Sequence, residues 1–304
     1  MKVAVLTGGV GGARFLRGVV DVVEPRDVTA IVNVGDDLEM LSLSVSPDLD
    51  SVVYALAGLA DDARGWGRAN ETWHALDTVA ALGGPSWFQL GDRDLGLHLV
   101  RTSWLRDGQA LSLVTKRIAA ALGIVASVVP ATDDLVRTWI ATPAGEFEFQ
   151  EWFVARRHVD PVDAVRYEGA ASARAAPGVL EALDAADAIL VAPSNPYVSI
   201  GPILAVPDIR AALIERRVPC VAVSPLIGGR AVKGPADRML ARLAGGTTPA
   251  EVASCYEGVI DALVVDEADD TSGLEVEAIV TRTLMRNAAA RRRLAEAALG
   301  LVAA

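Results

Sequence analysis

The stretch Met1-Lys2-Val3-Ala4-Val5-Leu6-Thr7-Gly8-Gly9-Val10-Gly11-Gly12-Ala13-Arg14 decides how the rest of this chain is read. An apolar run of strand length enters four glycines, and an amphipathic pattern (Phe15, Leu16, Val19, Val20) follows at once. Strand, glycine turn and helix together aim backbone N–H groups and a helix N-terminus at an anion. Glycine suits such a turn because a Cβ would hold the backbone away from a phosphate. The spacing is not that of a Walker loop, since Gly12-Ala13-Arg14 stands where Gly-Lys-Ser/Thr is needed. Nor is it a dinucleotide fingerprint, because Arg14 occupies the place of a small residue. The alternatives are a phosphate-binding turn of a less common type and a plain glycine turn in an α/β core.

Outward from this turn, a second strand (28–34) ends in Gly35-Asp36-Asp37, which completes a βαβ opening. Helical patterns follow over 51–60, 70–82, 94–106 and 110–122, and four of the six tryptophans (Trp66, Trp73, Trp87, Trp104) fall in that segment. Residues 125–129, 136–141 and 146–153 are β-rich. The α/β rhythm then returns, with strands at 188–192, 219–223 and 262–265 and helices at 177–185, 207–216, 235–244 and 284–303. The expectation is one α/β domain over 1–304, a doubly wound, Rossmann-like, mostly parallel sheet, with a helical-plus-β insertion at 51–165.

The 304 residues suffice for a full core, and 52% are apolar with few aromatics, which suits buried parallel strands. A net charge of −11 argues against non-specific nucleic-acid binding. Cys220 and Cys255 have no metal-site spacing. No membrane span or signal peptide is read, so the expectation is a soluble, cytoplasmic protein.

In a doubly wound sheet, ligands bind beyond the carboxyl ends of the strands. Four unusual loops fall there: Gly8–Gly12, Asn33–Asp37, Ser194-Asn195-Pro196 and Ser224-Pro225. Asp36, Asp37, Asp48 and Asp50 lie within fifteen residues. Crowded carboxylates call for a cation or a proton, and an oxygen-only donor set favours Mg²⁺. Helix capping by individual aspartates, and ribose binding by an aspartate after the second strand, are the competing uses. Asp92-Arg93-Asp94 is compatible with a local ion-pair network and cap, and Lys233, near a glycine loop, with a cation that the first turn lacks.

Read together, Gly8–Phe15, Asn33–Asp37, Pro47–Asp50, Gly65-Trp66-Gly67, Leu90–Leu95, Phe149-Gln150-Glu151-Trp152, Ser194–Leu204, Val223–Gly228 and Gly234-Pro235-Ala236 resemble one family. It is that of the 2-phospho-L-lactate transferases of coenzyme F-420 biosynthesis, called CofD in archaea and FbiA in actinobacteria. The form of the first turn and the Ala/Arg-rich composition are closer to the actinobacterial branch. The resemblance implies that the terminal ribityl hydroxyl of a deazaflavin, Fo, attacks the guanosine-distal phosphorus of a guanosine diphosphate conjugate, with GMP leaving. The transferred group is phosphoenolpyruvyl or 2-phospho-L-lactyl, Mg²⁺ is the cofactor, and a homodimer is expected. Carried over by motif, Asp36 and Asp50 are the catalytic and metal-binding candidates, with Asp37 and Asp48 second. Fo is expected at Asp50, Gln89, Asp92, Trp66 and Trp87, although archaeal members tend to have lysine where this chain has Gln89. The nucleotide is expected against Gly8, Gly9, Gly11, Gly12, Ser194 and Asn195, with Lys233 nearby. The rival readings are a non-catalytic CofD-like regulator that binds nucleotide sugars and a dehydrogenase on a degenerate turn.

Overall fold

The apolar run 3–7 forms strand β1 (Val3–Thr7), buried along its whole length. It pairs in parallel with β2 (Val28–Val32) on one side and β9 (Ala188–Val191) on the other. A strand buried on both faces needs no polar alternation, and none is present. Val3 and Val5 enter one core, with Phe15, Leu16, Val53 and Leu294. Ala4 and Leu6 enter the other, with Ile189, Ile203 and Leu213. The two cores make a three-layer sandwich of helices, sheet and helices.

The computed structural model describes residues 1–300. After β1 come α1 (Gly9–Val20), β2, the hairpin β3 (Leu38–Met40) and β4 (Leu43–Val45), and α2 (Pro47–Leu56). A helical lobe follows, built of α3 (His74–Ala81), α4 (Asp92–Arg106) and α5 (Leu111–Ala121). The chain then makes β5 (Ser127–Pro130), β6 (Arg137–Thr142), β7 (Gly145–Glu148) and β8 (Ala164–Glu168). The second half runs α6 (Val179–Asp184), β9, α7 (Gly201–Leu204), α8 (Pro207–Glu215), β10 (Cys220–Val223), β11 (Leu226–Ile227), β12 (Arg230–Ala231), α9 (Ala236–Leu243), α10 (Pro249–Ser254), β13 (Ala262–Asp266), β14 (Glu277–Thr281) and α11 (Ala288–Leu299). The main sheet has seven strands in the order β14-β13-β10-β9-β1-β2-β5, all paired in parallel. From β1 the chain moves first towards β2 and later to β9 on the opposite side. The loops after β1 and β9 therefore flank a topological switch point, where such sheets open a crevice.

The fold class is the one expected from the sequence, and several local features differ from that reading, among them the hairpins β3-β4 and β11-β12 and helix α10, which it did not include. Residues 51–165 do not form one continuous excursion, because β5 returns within them to edge the main sheet beside β2. A helical segment precedes β5, and the antiparallel sheet β7-β6-β8 follows it. The stretch 146–153 is not extended throughout: β7 ends at Glu148, and Glu151–Ala155 forms a π-helical turn that buries Trp152. Strands β8 and β14 were not anticipated, and both are edge strands with half-exposed faces. The terminal helix begins at Ala288 rather than 284, and residues 301–303 of the expected helix lie outside the described residues. Among the described residues, no single helix is long and apolar enough to cross a membrane.

Candidate active site

The glycine turn is shaped by close neighbours rather than by open space. Gly8 is the extended residue before α1, and Gly9 adopts φ 65°, a left-handed conformation that favours glycine. A Cβ on Gly8 would stand 2.5 Å from Asp48 Oδ2, and one on Gly11 would stand 2.8 Å from the Pro193 carbonyl. Ser194, in the loop after β9, donates its hydroxyl to the Gly8 carbonyl at 2.7 Å. The first turn and the Ser194 loop, distant in sequence, thus form one wall.

The aspartates form the facing wall. Pro47 opens α2 and places Asp48 and Asp50 in its first turn. Asn33, fully buried at the end of β2, shares its Nδ2 hydrogens among Asp36 Oδ1 at 2.7 Å, Asp48 Oδ2 at 2.9 Å and the Val198 carbonyl at 3.1 Å. Its Oδ1 accepts from the Gly35 N–H at 2.8 Å. One amide therefore ties together the acidic loop, α2 and the segment after Ser194. Asp36, Asp48 and Asp50 are each no more than 5% exposed. Burial, then the charge of Asp48, pushes the Asp36 carboxyl well above its ordinary range, against the pull of Asn33. Burial also pushes Asp37 up to about 8 and Asp48 up to about 6, the latter against Asn33 and the Gly9 amide. Asp37 Oδ2 accepts from the Ser46 hydroxyl at 2.7 Å, while its buried Oδ1 has no partner.

A carboxylate thus sits at the glycine turn itself, the position that suits an anionic ligand. A phosphate there would face Asp48, and two anions so placed need a cation between them. Among the described residues, no three His, Cys, Asp or Glu side chains are grouped closely enough to hold a metal ion by themselves. Mg²⁺ is commonly held by one or two carboxylates together with substrate phosphates and water. Asp36 and Asp48, joined through Asn33, fit that smaller donor set. Asp50 is differently occupied: Arg101 of α4 binds both its oxygens, Nη1 to Oδ2 at 3.0 Å and Nη2 to Oδ1.

The remaining expected residues divide. Asp92 caps a helix, its carboxylate accepting from the Thr72 hydroxyl at 2.5 Å, Ala75 N–H at 3.0 Å and His74 N–H at 3.2 Å at the start of α3. Glu71 does the same for α4, accepting from Arg93 N–H at 2.9 Å and Asp94 N–H at 3.0 Å. Gln89 is exposed. Trp66, 40% exposed, packs against Trp73 with ring centroids 6.4 Å apart, and the Arg64 guanidinium lies 4.9 Å over each ring. Trp87 meets Phe88 edge-on at 5.7 Å, so the two tryptophans belong to separate aromatic pairs. Asn195 accepts from the Tyr197 and Val198 N–H groups, which spends its carbonyl on shaping its own loop. Lys233 donates to the Gly65 carbonyl at 3.2 Å; burial, then Arg14, holds its amine below the usual range. Beside that turn, Arg14, Arg17, Ser51 and Trp66 line a shallow cavity against α1 and α2.

Sequence reasoning assigned no role to Asn33 or Arg101. The position of Asn33 directly after a buried strand was an available signal. The 51-residue separation of Asp50 and Arg101 offered none.

Comparison with known proteins agrees with this architecture. The family model described as 2-phospho-L-lactate transferase CofD matches residues 3–292. A phosphoenolpyruvate transferase of Streptomyces coelicolor is 46% identical over 284 residues, covering 91% of this chain and 89% of that protein. Another, from Nocardia farcinica, is 42% identical over 293 residues, covering 91% and 88%. A crystal structure of a UPF0052 family member from Bacillus halodurans superposes with a TM-score of 0.64 at 18% identity, covering 98% of this chain and 99% of that one, a likeness of fold. The chain belongs to the CofD family of 2-phospho-L-lactate transferases.

Proposed function

We propose that this chain transfers a phosphoenolpyruvyl or 2-phospho-L-lactyl group from a guanosine diphosphate conjugate to the terminal ribityl hydroxyl of Fo. The hydroxyl oxygen forms a bond to the guanosine-distal phosphorus, the bond from that phosphorus to the bridging oxygen breaks, and GMP departs with that oxygen. The hydroxyl proton passes to solvent. The product is dehydro coenzyme F-420-0 with the enolpyruvyl donor and F-420-0 with the lactyl donor. The observation that carries the reading is the meeting of the glycine turn, Ser194 and the Asn33-linked aspartates at one switch point.

Phosphoryl transfer demands positioning and charge compensation more than covalent chemistry by the protein. The α1 N-terminus and the glycine amides would bind the pyrophosphate, with the Ser194 loop closing over it. Asp36 and Asp48 would hold Mg²⁺, which supplies neutralisation of charge on the transferred group when bound. Asp50, oriented by Arg101, would face the acceptor. Arg14 and Lys233 would contribute positive charge beside the donor, and Trp66, which lines a cavity with Arg14, an aromatic surface.

The test is to incubate purified protein with Fo, MgCl₂ and each donor conjugate, following GMP release and product mass by mass spectrometry. Product from one donor, abolished by EDTA and restored by Mg²⁺, is the expected result. Absence of product with both donors, alongside tight binding of a nucleotide sugar, would refute the reading in favour of a regulator.

A further inference from the structure

Helices α2 and α4 meet through a polar seam where two amphipathic helices would ordinarily bury apolar side chains. On α2, Asp50 and Tyr54 stand four residues apart; on α4, Asp94, His98 and Arg101 follow an i, i+4, i+7 spacing, so each set shares one helix face. Arg101 is 2% exposed and His98 1%. The Tyr54 hydroxyl donates to Asp94 Oδ1. His98 Nε2 lies 3.6 Å from the same oxygen, and its Nδ1 lies 3.8 Å from Asp50 Oδ2. Arg101 Nη1 is 3.3 Å from His98 Nδ1. Because the guanidinium can only donate, a hydrogen bond between the two runs from Nη1 to Nδ1.

This arrangement is poorly explained by stability. A buried ion pair is on average no better than well-packed apolar residues of the same volume. Buried Arg101 Nε and His98 Nε2 lack hydrogen-bond partners, a further cost. What the seam does supply is direction. Two guanidinium nitrogens holding two carboxylate oxygens fix the plane of that carboxylate, which a single ammonium cannot do. Beneath the guanidinium, the ring of His98 bears on Nη1, and Asp94 with Tyr54 closes the far end.

We propose that Arg101 is a positioning residue that fixes the orientation of the Asp50 carboxylate, and that Asp94 and His98 brace it. The Leu90–Leu95 motif then acts by building the start of α4 and delivering Asp94 to this seam. The inference rests on the reading of Asp50 as an acceptor-facing residue.

The experiment compares Arg101→Lys, Arg101→Met, Asp50→Asn and the Arg101→Met/Asp50→Asn double variant in the full-length enzyme. Melting temperature is measured alongside kcat and KM for Fo and for the donor. Misorientation of a reacting group by about 1 Å costs roughly a hundredfold in rate. Arg101→Met is therefore expected to lower kcat about a hundredfold and Arg101→Lys about tenfold. KM for the donor should stay within about threefold, since the donor's binding groups are untouched. The double variant should be no slower than Asp50→Asn, because residues acting as a unit are not additive. Arg101→Lys keeps the buried charge and so reports even where Arg101→Met fails to fold. Asp50→Asn inactive with Arg101→Lys at full kcat would overturn the positioning role alone, as would a rise in KM without a fall in kcat. Asp50→Asn at the wild-type rate would instead remove the reading of Asp50 on which the inference rests.

Discussion

Replacing Asn33 by alanine is the most direct test of how the site is assembled. The substitution removes the amide that donates to Asp36 at 2.7 Å, Asp48 at 2.9 Å and the Val198 carbonyl at 3.1 Å, and that accepts from Gly35 at 2.8 Å. Hydrogen bonds to charged groups contribute about 1.5–3 kcal/mol net and neutral ones about 0.5–1.5 kcal/mol. Part of the sum is recovered as the carboxyls take up protons and their surroundings relax. The expected loss is about 3–5 kcal/mol, a large share of the roughly 5–15 kcal/mol that holds a typical domain together. The assay is urea unfolding at pH 7.5 in EDTA, comparing midpoints at constant m-value. Asn33→Asp should be at least as damaging, since it keeps an acceptor for Gly35 but brings another carboxylate against Asp36 and Asp48. A loss below about 1 kcal/mol for Asn33→Ala would show that the amide is incidental.

Three further outcomes follow from the geometry. Asp37 at about 8 and Asp48 at about 6 both lie above the unfolded value of 3.8, so the folded state binds more protons between those limits. Stability of the metal-free protein should therefore fall as pH rises from about 5 to 8, and saturating Mg²⁺ should flatten that fall; a melting temperature in EDTA that rises over this range would contradict the burial argument. Gly11→Ala drives a Cβ to 2.8 Å from the Pro193 carbonyl, so it should cost about 1–3 kcal/mol and weaken the guanosine conjugate more than Fo, as titration calorimetry of each ligand would show. Asp92→Ala removes the α3 cap and should cost about 1 kcal/mol in denaturation while kcat stays within about twofold; a large selective rise in KM for Fo would restore Asp92 to the substrate.

The central strands were legible because burial on both faces writes an uninterrupted apolar run, as in Val3–Leu6 and Val221–Val223. The edge strands were not: Ala164–Glu168 and Glu277–Thr281 carry charges and half-exposed faces, and only their neighbours select an extended form. Trp152-Phe153-Val154 misled for the reason that a short aromatic and β-branched run fits a strand or a buried turn equally well. Within the site, the glycine turn and the four aspartates were visible as local clusters. The tie through Asn33 depends on Val198, 165 residues away, and the seating of Asp50 depends on Arg101, so neither could be read from spacing.

Glu71 and Asp92 carry a consequence for the dynamics of the helical lobe. Each lies beside the start of one helix and satisfies the free amides at the start of the other. Fraying of either end therefore costs the other its cap. Native-state deuterium uptake should then release His74 and Ala75 together with Arg93 and Asp94, in a single opening event with one free energy. Two helix origins, separated by the whole of α3 and the loop after it, would behave as one latch.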